Sequence, residues 1–200
     1  MSDFARRATR RQVLGEALAV AGATALLPTL GRADVLPPGK LPARTGPKGD
    51  LHDFDFYVGT WALKNRRLKK RWVGSTEWDE FPATCRCESR LGGVVNMDEL
   101  VFPTKGFAGV TMRLFNTEQR LWSAYWINST TGELSLPVYG GFVGDRGELY
   151  GEDVDGGRQI QVQFLWTRQG PDAVRWQQAF SLDGRTWETN WVIDHTRVAG

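Results

Sequence analysis

From residue 60 to residue 197 the chain alternates apolar and polar positions with a period of two, in short runs separated by turn residues. The pattern predicts strands over 60–69, 77–89, 96–102, 109–115, 120–127, 134–142, 148–152, 159–167, 174–182 and 186–197. The breaks carry turn chemistry, as in Pro103-Thr104-Lys105-Gly106, Gly144-Asp145-Arg146-Gly147 and Asp183-Gly184-Arg185. These connections leave no room for parallel crossovers, so the expected fold is all-β, with about ten antiparallel strands in up-and-down order. Such a sheet either closes or folds into a sandwich, and closure removes its exposed edges.

Alternation also sorts side chains onto faces. Ile160, Val162, Phe164 and Trp166 share one side opposite Gln161 and Gln163; Val174, Trp176, Gln178 and Phe180 share another opposite Arg175 and Gln177. Val110, Met112 and Leu114 oppose Thr111 and Arg113, and Trp187, Trp191, Ile193 and His195 oppose Val192 and Asp194. With the apolar faces turned inward, the expected lining of a barrel cavity includes Met112, Trp126, Phe164, Trp166, Trp176, Phe180 and Trp191. Barrels of eight or more strands have room for one small ligand.

The stretch HDFDFYVGTWAL (residues 52–63) places a short aromatic turn and Gly59-Thr60-Trp61 at the start of the first strand. This resembles the calycin superfamily of lipocalins, fatty-acid-binding proteins and nitrobindins. The stretches FDFYVGTW, STEWDEF and GRTWETNWVIDHTR also resemble an uncharacterised bacterial family of calycin-like domains, over most of residues 51–198. The resemblance implies a calycin-like barrel in which Gly59 and Trp61 mark the closed end, with Arg197 packed across the indole as a structural cation–π partner. It also raises haem as a candidate cofactor, because nitrobindins use a His near the chain end as an axial ligand, and His195 occupies that region. After Gly-x-Trp, however, this chain continues Ala62-Leu63-Lys64-Asn65 where the nitrobindin pattern has further glycines.

Composition changes this picture little within the domain and more before it. Nine Trp, ten Phe and four Tyr supply a large core, at roughly 1.5–3 kcal/mol for each such side chain fully buried. The net charge of +2 is carried by the N-terminus: without residues 1–33, the 25 basic and 23 acidic residues become 20 and 21. The basic balance is therefore no argument for nucleic acid. Residues 1–33 combine arginines, the short apolar run 17–27 and the small-residue site Gly31-Arg32-Ala33, the pattern of a secretory signal helix. Arg10-Arg11 with Val13 and Leu14 resembles the twin-arginine export motif, although Thr9 replaces the usual Ser and Val13 the usual Phe. An ordinary secretion signal or an amphipathic helix is the alternative. Residues 34–50 contain four Pro and three Gly and read as an extended tether, followed by the barrel domain at 51–200. The expected location is the periplasm or the exterior of a bacterium. The translocase would be a partner during export, and no part would be embedded in the membrane after leader removal.

Few residues suggest further chemistry. His195 beside aromatics would suit haem, but a lone His more often satisfies a structural bond. Cys85 and Cys87, two apart on a strand, are poorly spaced for a disulfide and read as buried small residues. The basic run Lys64, Arg66, Arg67, Lys69, Lys70, Arg71 precedes the acidic STEWDE and reads as a charged hairpin. No nucleophile elbow, zinc helix or phosphate loop is present, so no catalytic or metal-binding residue is assigned and the protein is not expected to be an enzyme. The expected role is an exported barrel holding a mainly apolar or aromatic small ligand, with no cofactor assigned. Three other readings stand beside it: haem binding through His195, a cofactor-free lyase, cyclase or isomerase, and a filled barrel acting as an envelope interaction module.

Overall fold

A computed structural model describes residues 45–198. The leader with Arg10 and Arg11, and most of the tether, lie outside the described residues. Ten strands form β1 (Gly59–Leu68), β2 (Trp78–Arg90), β3 (Val95–Phe102), β4 (Phe107–Asn116), β5 (Leu121–Asn128), β6 (Val138–Val143), β7 (Arg146–Asp155), β8 (Arg158–Gly170), β9 (Ala173–Ser181) and β10 (Glu188–Arg197). Each pairs antiparallel with its sequence neighbours, and β1 pairs with β10, so the sheet is a closed up-and-down barrel. Among the described residues no helix is long and apolar enough to cross a membrane.

The period-two pattern becomes an inside and an outside. On β2, Phe81, Ala83, Cys85 and Cys87 are buried while Glu80, Pro82, Thr84 and Arg86 are exposed. The strand predicted over 134–142 begins only at Val138. Leu134 makes an isolated bridge to Ile127, and Pro137, which has no N–H for a ladder, precedes the strand. As a result β5 and β6 share only three residue pairs. The end of the tether also differs from expectation. Residues 45–50 are seated on the barrel, with Gly46 N–H donating to Tyr139 O at 2.8 Å and Gly49 N–H to Arg120 O at 2.8 Å.

The 3₁₀ turn Asp55–Tyr57 plugs the end of the barrel at which β1 begins. Phe54 is buried edge-on against Trp122, Phe142 and Trp166. Trp61 is fully buried and donates from Nε1 to Tyr57 O at 2.8 Å. Arg197, directly opposite Trp61 across β1 and β10, lies 4.2 Å from the indole centroid. Its Nη1 donates to Val58 O at 2.8 Å and its Nη2 to Phe56 O at 2.5 Å. Gly59 has φ +126°, and a Cβ there would lie 2.8 Å from Arg197 Nη1, so both the backbone and the guanidinium demand glycine.

Replacing Arg197 with Met keeps the packed stem and removes the stacked charge together with both carbonyl bonds. Arg197→Met is expected to lower unfolding free energy in urea by about 2–4 kcal/mol.

Candidate functional site

Inside the barrel a cavity of about 150 Å³ lies among the inner faces of β3 to β10. Its wall includes Trp126, Phe164, Trp166, Trp176, Phe180 and Trp191, six of the seven aromatic or apolar residues expected there. Gly109 lets the Trp126 indole lie flat across β4, since a Cβ at that position would be 2.1 Å from the ring. Trp176 meets Phe164 and Trp191 edge-on at centroid distances of 5.0 and 5.8 Å.

Met112 is the exception and requires a correction. On β4 it is Thr111 and Arg113 that line the cavity; Met112 pairs with Met97 and Tyr125 on the outer face. The apolar side of this strand faces outward because the polar side finds its partners inside. Trp187 is a second correction. A bulge at Asn190 breaks the register of β10 against β9 between Thr189 and Trp191, so residues before it change face. Trp187 consequently meets Tyr150, with ring centroids 5.8 Å apart, rather than joining Trp191 inside.

The inner polar cluster was the part least visible in the sequence. Arg113 is buried, with Nη1 donating to Asn96 Oδ1 at 2.7 Å and Nη2 paired to Asp98. Its guanidinium lies 4.9, 5.3 and 5.1 Å from the ring centroids of Phe54, Tyr57 and Trp166. Burial is the largest influence and works against its charge, but Asp98, with smaller help from Cys87 and Tyr57, holds its pKa above the ordinary value. A usable signal did exist: Asn96 and Asp98 on β3 and Thr111 and Arg113 on β4 recur at spacing two on either side of one hairpin. Spacing alone does not say that this polar face is the inner one.

His195 completes the cluster and lines the cavity. Its Nδ1 is 2.9 Å from the Tyr57 hydroxyl, which in turn is 3.2 Å from Cys85 Sγ. Its Nε2 is buried and has no hydrogen-bond partner. Burial, then the charge of Arg113, lowers the pKa of the imidazole to about 3, so the ring is neutral at pH 7. Burial and the Asp98 charge raise the Tyr57 hydroxyl well above its ordinary value. Cys85 and Cys87 are buried free thiols, both pushed up by burial, Cys87 to about 12. Neither is a thiolate nucleophile at neutral pH. Among the described residues no group of three or more His, Cys, Asp or Glu is placed to hold a metal ion.

The opposite end is the mouth, lined by Ser135, Leu136, Glu152 and Asp153. The basic run closes over it. Arg67 lies 4.7 Å from the Trp191 ring, and Arg71 forms a two-pronged bond to Asp155 at 2.9 and 2.5 Å. Trp72 stacks on Phe180 and donates from Nε1 to Asp155 at 2.7 Å. No protein-family model matches the chain, and no match is found among curated proteins.

Two outcomes follow from the cluster. Asp98→Asn leaves a buried guanidinium without its counter-charge and is expected to cost about 3–5 kcal/mol in chemical unfolding. His195 binds a proton near pH 6.5 when unfolded but only near pH 3 when folded, so stability falls as pH drops through that window. In His195→Phe the slope of unfolding free energy against pH should be shallower there by up to about 1.4 kcal/mol per pH unit.

Proposed function

We propose that this chain is an exported, calycin-like carrier that holds one small, mainly aromatic or apolar ligand inside its barrel. The observation that carries the reading is the coincidence of an aromatic-walled cavity with a wall residue, His195, whose buried Nε2 has no partner. Aromatic walls supply burial, and a few converging polar groups fix orientation, the usual division of labour in small-molecule sites. A cavity of about 150 Å³ is also the size that, lined by apolar side chains, accepts a molecule such as benzene.

The rival readings fare less well on the same geometry. A neutral His195 is the right form of imidazole for haem iron. A porphyrin, however, is several times larger than one benzene ring and does not fit this space, so the residues present do not suit haem. A lyase, cyclase or isomerase would need a free base at the ligand. Glu152 and Asp153 stand at the mouth, while at the inner end Asp98 is committed to Arg113 and the Tyr57 hydroxyl to His195. A filled interaction module would leave no cavity. Export rests on the leader sequence, and release into the periplasm or beyond follows from it.

Native mass spectrometry of the protein purified after export through its own leader should show one added species of single-ring size. Val162→Phe, which enlarges a cavity-wall side chain, should abolish that species and weaken toluene binding at least tenfold in calorimetry, with Tm unchanged or raised. A clean apo mass together with no toluene binding would overturn the carrier reading. Lysine at both Arg10 and Arg11 should leave the protein in the cytoplasm, read by fractionation.

A further inference from the structure

The chemistry of the ligand can be taken further, on the premise that the carrier reading holds. At the inner end of the cavity the wall includes Arg113, whose charge is met by Asp98 in the surrounding core. An anionic ligand would find the Arg113 guanidinium already taken by Asp98 and Asn96. A cationic ligand would meet a guanidinium sealed among aromatic rings. At the mouth, Glu152 and Asp153 stand with Arg67 and Arg71, so the entrance is mixed in charge and selects for neither sign. An uncharged molecule meets neither penalty.

The proton on His195 decides which neutral polar group is favoured. The Tyr57 hydroxyl touches both His195 Nδ1 and Cys85 Sγ and has one proton to give. An imidazole nitrogen is a strong acceptor, whereas a thiol is both a weak donor and a weak acceptor. The better arrangement has Tyr57 donating to Nδ1 and the Cys85 thiol donating weakly to the Tyr57 oxygen. The imidazole proton then sits on Nε2, the nitrogen that lacks a partner. A buried donor left unpaired costs more than an ordinary hydrogen bond returns, so an acceptor that reaches it gains on both counts.

We infer that the cavity takes an uncharged single-ring aromatic molecule carrying a carbonyl-type acceptor, whose oxygen accepts a hydrogen bond from His195 Nε2–H. The ring lies among Trp126, Phe164, Trp176 and Trp191, and the oxygen is at the Tyr57 end.

Two measurements test this. Calorimetry would give the affinities of acetophenone, ethylbenzene and benzoate for the wild type and for His195→Phe. The preference for acetophenone over ethylbenzene should fall at least tenfold in the variant, and benzoate should bind the wild type more weakly than acetophenone. Independently, long-range ¹H–¹⁵N spectra of the wild type should show His195 protonated at Nε2, with that nitrogen shifting on addition of acetophenone. This readout does not depend on the variant folding. Ethylbenzene and acetophenone binding with an unchanged preference in the variant, benzoate as the tightest probe, or a proton on Nδ1 would each overturn the inference and leave the carrier reading standing. Failure of the wild type to bind any of the three probes would overturn both.

Discussion

A guanidinium sealed inside a barrel must have its charge met there, and Asp98 meets that of Arg113. Much of the character of the interior follows from this pair. It turns the polar side of β3 and β4 inward, and it brings Asn96 into the core as a second acceptor. It places a cation against the faces of Phe54, Tyr57 and Trp166, so the plug from residues 54–57 is held electrostatically as well as by burial. Its positive end adds to burial in keeping His195 neutral. Buried ion pairs contribute little net stability, since desolvation offsets their attraction. Their effect here is on arrangement: the inner end of the cavity is polar, charge-balanced and furnished with a neutral imidazole.

The rest of the interior divides into a filled and an open sector. Toward β1 to β4, Phe81, Phe102 and Phe107 pack ring on ring, with Phe102 and Phe107 stacked at 4.5 Å. On the β5 to β10 side, Trp126, Phe164, Trp176 and Trp191 line space instead of occupying it. Arginines cover the outer end of this sector, with Arg67 over Trp191 and Arg71 over Phe180. The loop that brings Arg71 and Trp72 there is tied to β7 through Asp155 and to β10 through Glu188, which accepts from Trp72 N–H at 3.0 Å. Trp72 holds φ +67° in this position, a conformation costly for a non-glycine residue and kept by those bonds. The basic run is thus more than a charged hairpin, because part of it packs on the aromatic wall of the cavity.

The architecture was largely legible along the chain. Ten runs of period two separated by short turns became ten strands, with boundaries generally within a few residues. Trp61 and Arg197 face each other across the seam where the first and last strands meet. On β8 and β9 the apolar face is the inner face, and the residues read from it reach the cavity. Where interior chemistry was polar, the same rule failed. Alternation alone puts Met112 inside and Arg113 outside, but hydrophobicity assigns faces only when the core is apolar. At Asn190 a single extra residue exchanged the faces on one side of it, and Trp187 moved with them.

By itself, the sequence determined the strand number, the antiparallel order and the aromatic content of the barrel, because period-two alternation and turn residues are local properties of the chain. Only the tertiary structure decided which face of β4 turns inward, where space is left unfilled and what His195 can do. Those depend on residues far apart in sequence: Asp98 against Arg113, Tyr57 against His195, and the loop after β1 against Asp155. The charge state of a buried imidazole and the size of a cavity are set by everything that surrounds them, which no single stretch of the chain contains.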